Sequence, residues 1–150
     1  MQSGYFFIGS NKMKSVNEII PLLGQNLSVI TGLIDTALQS SNRPEKEMNR
    51  TRLTTETILK KWLRVFPEAE SPQLRLRVYK CFGYIRIILR IEGNPFNPVR
   101  HVEGSPPGFS GYEDALLTPM HRTISYYYAD GVNEVEIKLP TFDAESMTFR

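Results

Sequence analysis

The chain has 150 residues, 18 Lys plus Arg against 16 Asp plus Glu, two His and one Cys; that length fits one domain burying about 68–70% of its unfolded surface. One Cys excludes an internal disulfide, and one Cys with two distant His cannot supply the four ligands of a structural zinc site. A net charge of +2 is too small to act by itself as the electrostatic footprint of a nucleic-acid binder, so no nucleic-acid partner is expected.

Residues 1–13 show no sustained period and carry Gly4, Gly9, Ser10 and Asn11, which predicts a flexible lead-in. The apolar run Tyr5-Phe6-Phe7-Ile8 is shorter than the core of a signal peptide, and no basic segment precedes it. From Ser15 the pattern turns helical. Ser15-Val16-Asn17-Glu18 has the spacing of a capping box, and Val16, Ile20, Leu23, Leu27, Ile30, Ile34 and Ala37 recur in steps of four and three. Pro21 removes an intrahelical bond, so the helix either kinks there or begins near it. The same stretch is too interrupted, by Pro21, Gly24, Gln25, Asn26, Gly32 and Asp35, to cross a bilayer. The expectation is a cytoplasmic chain with no direct membrane insertion.

Asn42, Pro44 and Glu45 predict a stop and a new helical start, with the second helix running to about Phe66. Its apolar side is Met48, Thr55, Ile58, Leu59, Trp62, Leu63 and Phe66; its polar side is Glu45, Lys46, Asn49, Arg50, Lys60, Lys61 and Arg64. Pro67 ends it. So short a connection predicts a helical hairpin over 14–66.

After Pro72 the period becomes two. Leu74, Leu76, Val78, Ile85, Ile87, Leu89 and Ile91 are expected to face a core, with Arg75, Arg77, Arg86 and Arg90 on the other side. Four prolines, Pro95, Pro98, Pro106 and Pro107, and four glycines make the stretch from Gly93 to Gly111 a long loop of the kind that carries function. A short helix is predicted from about Tyr112 to Thr123. Ser125 to Tyr128 and Asn133 to Leu139 then flank Asp130-Gly131, a hairpin signal, and Pro140 stops the last strand. Residues 141–150 form a tail. The predicted class is α/β, more narrowly α+β: a two-layer sandwich in which a helical hairpin and a mostly antiparallel four-stranded sheet, at 73–140, share one domain over 14–140, with the helices on one face.

The four arginines can be read as a phosphate or nucleic-acid surface with Tyr79 and Tyr84, or as solvent positions neutralised by Glu134 and Glu136 on a neighbouring strand. The second reading fits the small net charge better. The stripe of the first helix suits a homodimer seam or core packing, and Ile19, Leu22, Leu33 and Leu38 widen it beyond a two-stranded seam. His101, His121 and Cys81 have no partners that make a catalytic constellation. Gly108-Phe109-Ser110-Gly111 ahead of a helix would leave its N-terminus open to an anion.

Taken together, the element order and these local residues resemble the GHKL ATPase-like domain of histidine kinases and anti-sigma factors, over about Met48 to Pro140. The resemblance implies a helix acid at Glu56, an adenine-contacting turn at Glu92-Gly93-Asn94 and phosphate glycines at Gly108 and Gly111. Lys60 stands where the family has a magnesium-binding Asn, and an ammonium has no lone pair for a metal. Glu92 replaces the family's Asp, and Pro95 and Pro98 stiffen the turn. The candidate nucleotide-binding residues are therefore Glu56, Lys60, Glu92, Gly93, Asn94, Gly108 and Gly111, with no catalytic residue, no metal, and ATP as the one cofactor the resemblance brings in. The final Tyr128-Ala129-Asp130-Gly131-Val132-Asn133-Glu134-Val135 segment looks more narrowly like a bacterial domain fused ahead of dicarboxylate/amino acid:cation symporters. That implies a non-catalytic, regulatory or interaction module at the inner face of the membrane, working through a protein partner or a homodimer formed by the N-terminal helices. An active ATP-binding domain and a plain helical-hairpin dimerisation module are the alternatives.

Overall fold

The computed structural model describes residues 14–41, 43–99 and 123–140. In chain order they form β1 (Val16–Pro21), a 3₁₀ turn (Gly24–Asn26), α1 (Leu27–Gln39), α2 (Glu45–Val65) and a second 3₁₀ turn (Glu68–Glu70). Four more strands follow: β2 (Gln73–Cys81), β3 (Tyr84–Glu92), β4 (Ile124–Ala129) and β5 (Val132–Pro140). The strands make one open antiparallel sheet in the order β1-β2-β3-β5-β4. Both helices pack on one face of it, so the α+β class and the one-sided, two-layer arrangement hold.

The sheet has five strands, one more than the sequence predicts. The additional strand is β1, in the stretch where the capping-box reading of Ser15 to Glu18 predicts helix and extends the helical hairpin back to residue 14. Val16 and Ile20 are four residues apart, a spacing that puts them on one side of a helix and equally on one side of a strand. Pro21 decides between the two. It removes an intrahelical bond, whereas an edge strand tolerates it. Val16 pairs with Val78 and Pro21 with Gln73, and the Leu22 amide continues the pairing to the Pro72 carbonyl at 2.8 Å. Ile19, counted in the helix stripe by period, consequently lies on the solvent face and is exposed.

From Leu27 onward the expected stripe is real. Leu27, Ile30, Ile34, Ala37 and Leu38 of α1 are buried and join Ile58, Leu59 and Trp62 of α2 over Leu74, Leu76, Val78, Ile85, Ile87, Leu89 and Ile91. The stripe is thus consumed inside the domain's own core. Across the helical hairpin, Arg52 reaches Asp35 at 3.6 Å. Phe66, the residue before Pro67, has left the helix for extended backbone, as the ring of a following proline requires. On the polar side of α2 one residue departs from expectation: Lys61 is 1% exposed. It follows Thr54 and Thr57 at helical spacing on a buried polar stripe, where its four-carbon stem packs as an apolar chain does.

At the second hairpin, Ala129 pairs with Val132 across Asp130 and Gly131, whose φ values of 53° and 77° are the pair of left-handed positions a two-residue hairpin loop needs. β5 then lies beside β3, bringing Glu134 and Glu136 next to the arginines. Arg86 Nε meets Glu136 Oε2 at 2.5 Å and Arg90 Nε meets Glu134 Oε1 at 3.3 Å, as cross-strand neutralisation predicts. The Glu136 carboxylate holds the Arg86 guanidinium above its already high ordinary value. Ile88, between Arg77 and Glu136 in its row, is buried on this face although it lies outside the core cluster, among long side chains whose stems cover apolar surface. Because Glu136 is the more enclosed partner, Glu136→Gln is expected to lower the unfolding free energy by about 1 kcal/mol, and Glu134→Gln by less than about 0.5 kcal/mol. Urea unfolding checks both.

Candidate functional site

The chain leaves β3 through Glu92, Gly93, Asn94, Pro95 and Phe96, and this turn is tied down from three sides. The Gly93 amide donates to the Gly131 carbonyl at 2.9 Å, and the Tyr128 hydroxyl donates to the Gly93 carbonyl at 3.0 Å. From α2, the Trp62 indole N–H donates to the Phe96 carbonyl at 3.1 Å.

At the centre is Asn133 of β5, 0% exposed on the helix-facing side of the sheet. Its Oδ1 accepts from the Phe96 amide at 2.9 Å and from the Tyr126 hydroxyl at 2.5 Å. Its Nδ2 donates to the Asn94 carbonyl at 3.0 Å and, more weakly, to the Ile91 carbonyl at 3.5 Å. One amide thereby replaces the strand partner that β3 loses where it turns away. Burial pushes the Tyr126 phenol above its ordinary value, with the Phe96 amide acting in the opposite direction.

Gly93 has φ +150°, and a Cβ there would stand 2.7 Å from Cε1 of Phe66, so the glycine permits a close approach between the turn and the end of α2. Beside that contact opens a cavity of about 890 Å³. Phe66 and Phe96 supply apolar wall; Glu70, Glu92, Gln73 and Asn94 supply polar groups. A smaller recess of about 300 Å³ lies against Ile19, Arg75 and Arg90, and shares Gln73 and Glu92 with the larger cavity.

The candidate nucleotide residues therefore separate. Glu92, Gly93 and Asn94 lie together at the cavity. Glu56 and Lys60 share one face of α2 by their spacing of four, Glu56 half-buried and Lys60 exposed, and neither is in the cavity lining. Gly108 and Gly111, with the short helix predicted after them, lie outside the described residues, as do His101 and His121. Asn133, Trp62 and Phe66 are the residues that sequence reasoning missed. For Asn133 a signal was present: a polar side chain at a core-facing position of a strand whose alternate residues, Val135, Ile137 and Leu139, are apolar. Among the described residues, no group of three or more His, Cys, Asp or Glu side chains is placed to hold a metal ion. None of their helices is long and apolar enough to cross a membrane. Compared with protein-family models and with curated proteins, the chain matches none.

Proposed function

We propose that the protein is a non-catalytic, ATPase-like regulatory or interaction module whose binding site is the cavity under the C-terminal end of α2. The observation that carries this reading is the separation of the candidate residues: Glu92, Gly93 and Asn94 line the cavity, and Glu56 and Lys60 do not. The described lining holds two carboxylates, Glu70 and Glu92, and no Lys or Arg. A polyphosphate is repelled by such a wall unless cations neutralise it. The order of helix, hairpin, long connection and closing hairpin supports the ATPase-like part of the reading, and the departures at Lys60 and Glu92 support its non-catalytic part. In this reading the module works in the cytoplasm, at the inner face of a membrane, on a protein partner such as a transporter.

Titration calorimetry with ATP and ADP, with and without magnesium, tests the proposal. No binding heat is expected from either nucleotide, with or without magnesium. Magnesium-dependent binding in the micromolar range would instead identify an active nucleotide site.

A further inference from the structure

The two ends of the sheet differ in their outermost charges, although Arg75 and Arg90, the latter engaged by Glu134, lie one row in from the end next to the cavity. The end next to the cavity carries Glu92 and Asp130, with Glu70 just ahead of β2. The other end, where β2 turns into β3 and β5 finishes, carries Lys80 at a helix-facing position and Arg86 and Lys138 on the opposite face, with Arg77 on that opposite face at mid-strand. Glu136 is the carboxylate facing that group, and it is engaged by Arg86.

The basic end also presents the most exposed of the large apolar side chains described. Phe82 is 86% exposed at the tip of the β2-β3 turn. Two tyrosines stand behind it. The Arg77 guanidinium lies 4.8 Å and the Arg86 guanidinium 5.3 Å from the Tyr79 ring centre, and Lys138 Nζ lies 5.2 Å from that of Tyr84.

We propose that this turn is a docking tip for an anionic membrane surface, with Phe82 entering the headgroup boundary and Lys80, Lys138 and Arg77 meeting acidic lipid. An exposed phenyl ring ahead of cations and amphipathic tyrosines has the order of groups that a bilayer interface favours. A protein partner fits less well. A specific interface takes roughly 800 Å² from each side with several enclosed anchors, and a turn projecting one ring offers little of either. Each cation near an acidic leaflet contributes on the order of a fivefold gain in binding, and burial of the ring about tenfold or more.

The test is co-sedimentation of the full chain with phosphatidylcholine vesicles, with and without phosphatidylserine, at low and raised salt. Binding to the serine-containing vesicles alone, weakened by salt, is expected. Phe82→Ser should weaken it about tenfold, and Lys80→Glu with Lys138→Glu by more, with unaltered thermal melting because these side chains lie at the surface. Absence of binding, equal binding to both vesicle types, or indifference to Phe82→Ser would overturn the proposal. So would concentration-dependent self-association, seen by light scattering without lipid and lost in Phe82→Ser, which would assign the tip to a second copy of the chain.

Discussion

Replacement of Asn133 by alanine should lower the unfolding free energy by about 3 kcal/mol, seen as a lower urea midpoint with an unchanged slope. Asn133 is enclosed, and its loss removes an acceptor from the Phe96 amide and the Tyr126 hydroxyl and a donor from the Asn94 carbonyl. An orphaned buried group costs roughly 1–3 kcal/mol, partly recovered here by water entering the space left behind. Asn133→Asp separates the donor role from the acceptor role. Its carboxylate still accepts from Phe96 and Tyr126 but faces the Asn94 and Ile91 carbonyls, where the amide nitrogen donated. The protonated form is therefore favoured in the folded state, which raises the folded pKa of the new carboxyl. A raised folded pKa gives stability that is present at low pH and is lost as pH rises through that value. Asn133→Asp should therefore gain stability on acidification relative to the parent chain, a direction that a plain packing defect would not produce.

Gly93→Ala should be nearly as damaging, at about 2–4 kcal/mol. Two causes add: a φ of +150° that an L side chain seldom adopts, and a Cβ placed 2.7 Å from the ring of Phe66. They can be parted by a double-mutant cycle. In a Phe66→Ala background the clash disappears and the backbone term remains, so the cost of Gly93→Ala should fall by a measurable fraction of itself. Because Phe66 and Gly93 both line the cavity, ligand binding should weaken in the single variant. A variant with normal stability would refute the close approach itself.

Where one physical constraint dominated a segment, the sequence was sufficient to read it. Alternation of two fixed the inward and outward faces of β2 and β3, Asp130-Gly131 located the second hairpin, and the excess of arginine on one strand pair anticipated glutamate on the strand beside it. Where two patterns coincide, as in the spacing of four from Val16 to Ile20, the local signal was ambiguous, and a pairing partner more than fifty residues later resolved it. Lys61 shows the same limit in a helix: charge placed it outside, whereas the tertiary packing of α2 took it in. The candidate site was legible in part. Its turn, Glu92 to Asn94, was chosen by resemblance, but the groups that hold the turn come from β4, β5 and α2, and adjacency of that kind is not written in any local window.

The first of the described strands has one neighbour among them, and that neighbour lies beyond both helices. During synthesis β1 emerges ahead of its described partner, so the backbone groups that pair with that strand wait until the segment through Val78 is available. The β2-β3 turn and the helical hairpin are local and close first, at lower loop entropy. Among the described strands, β1 is then the closing stave of the sheet.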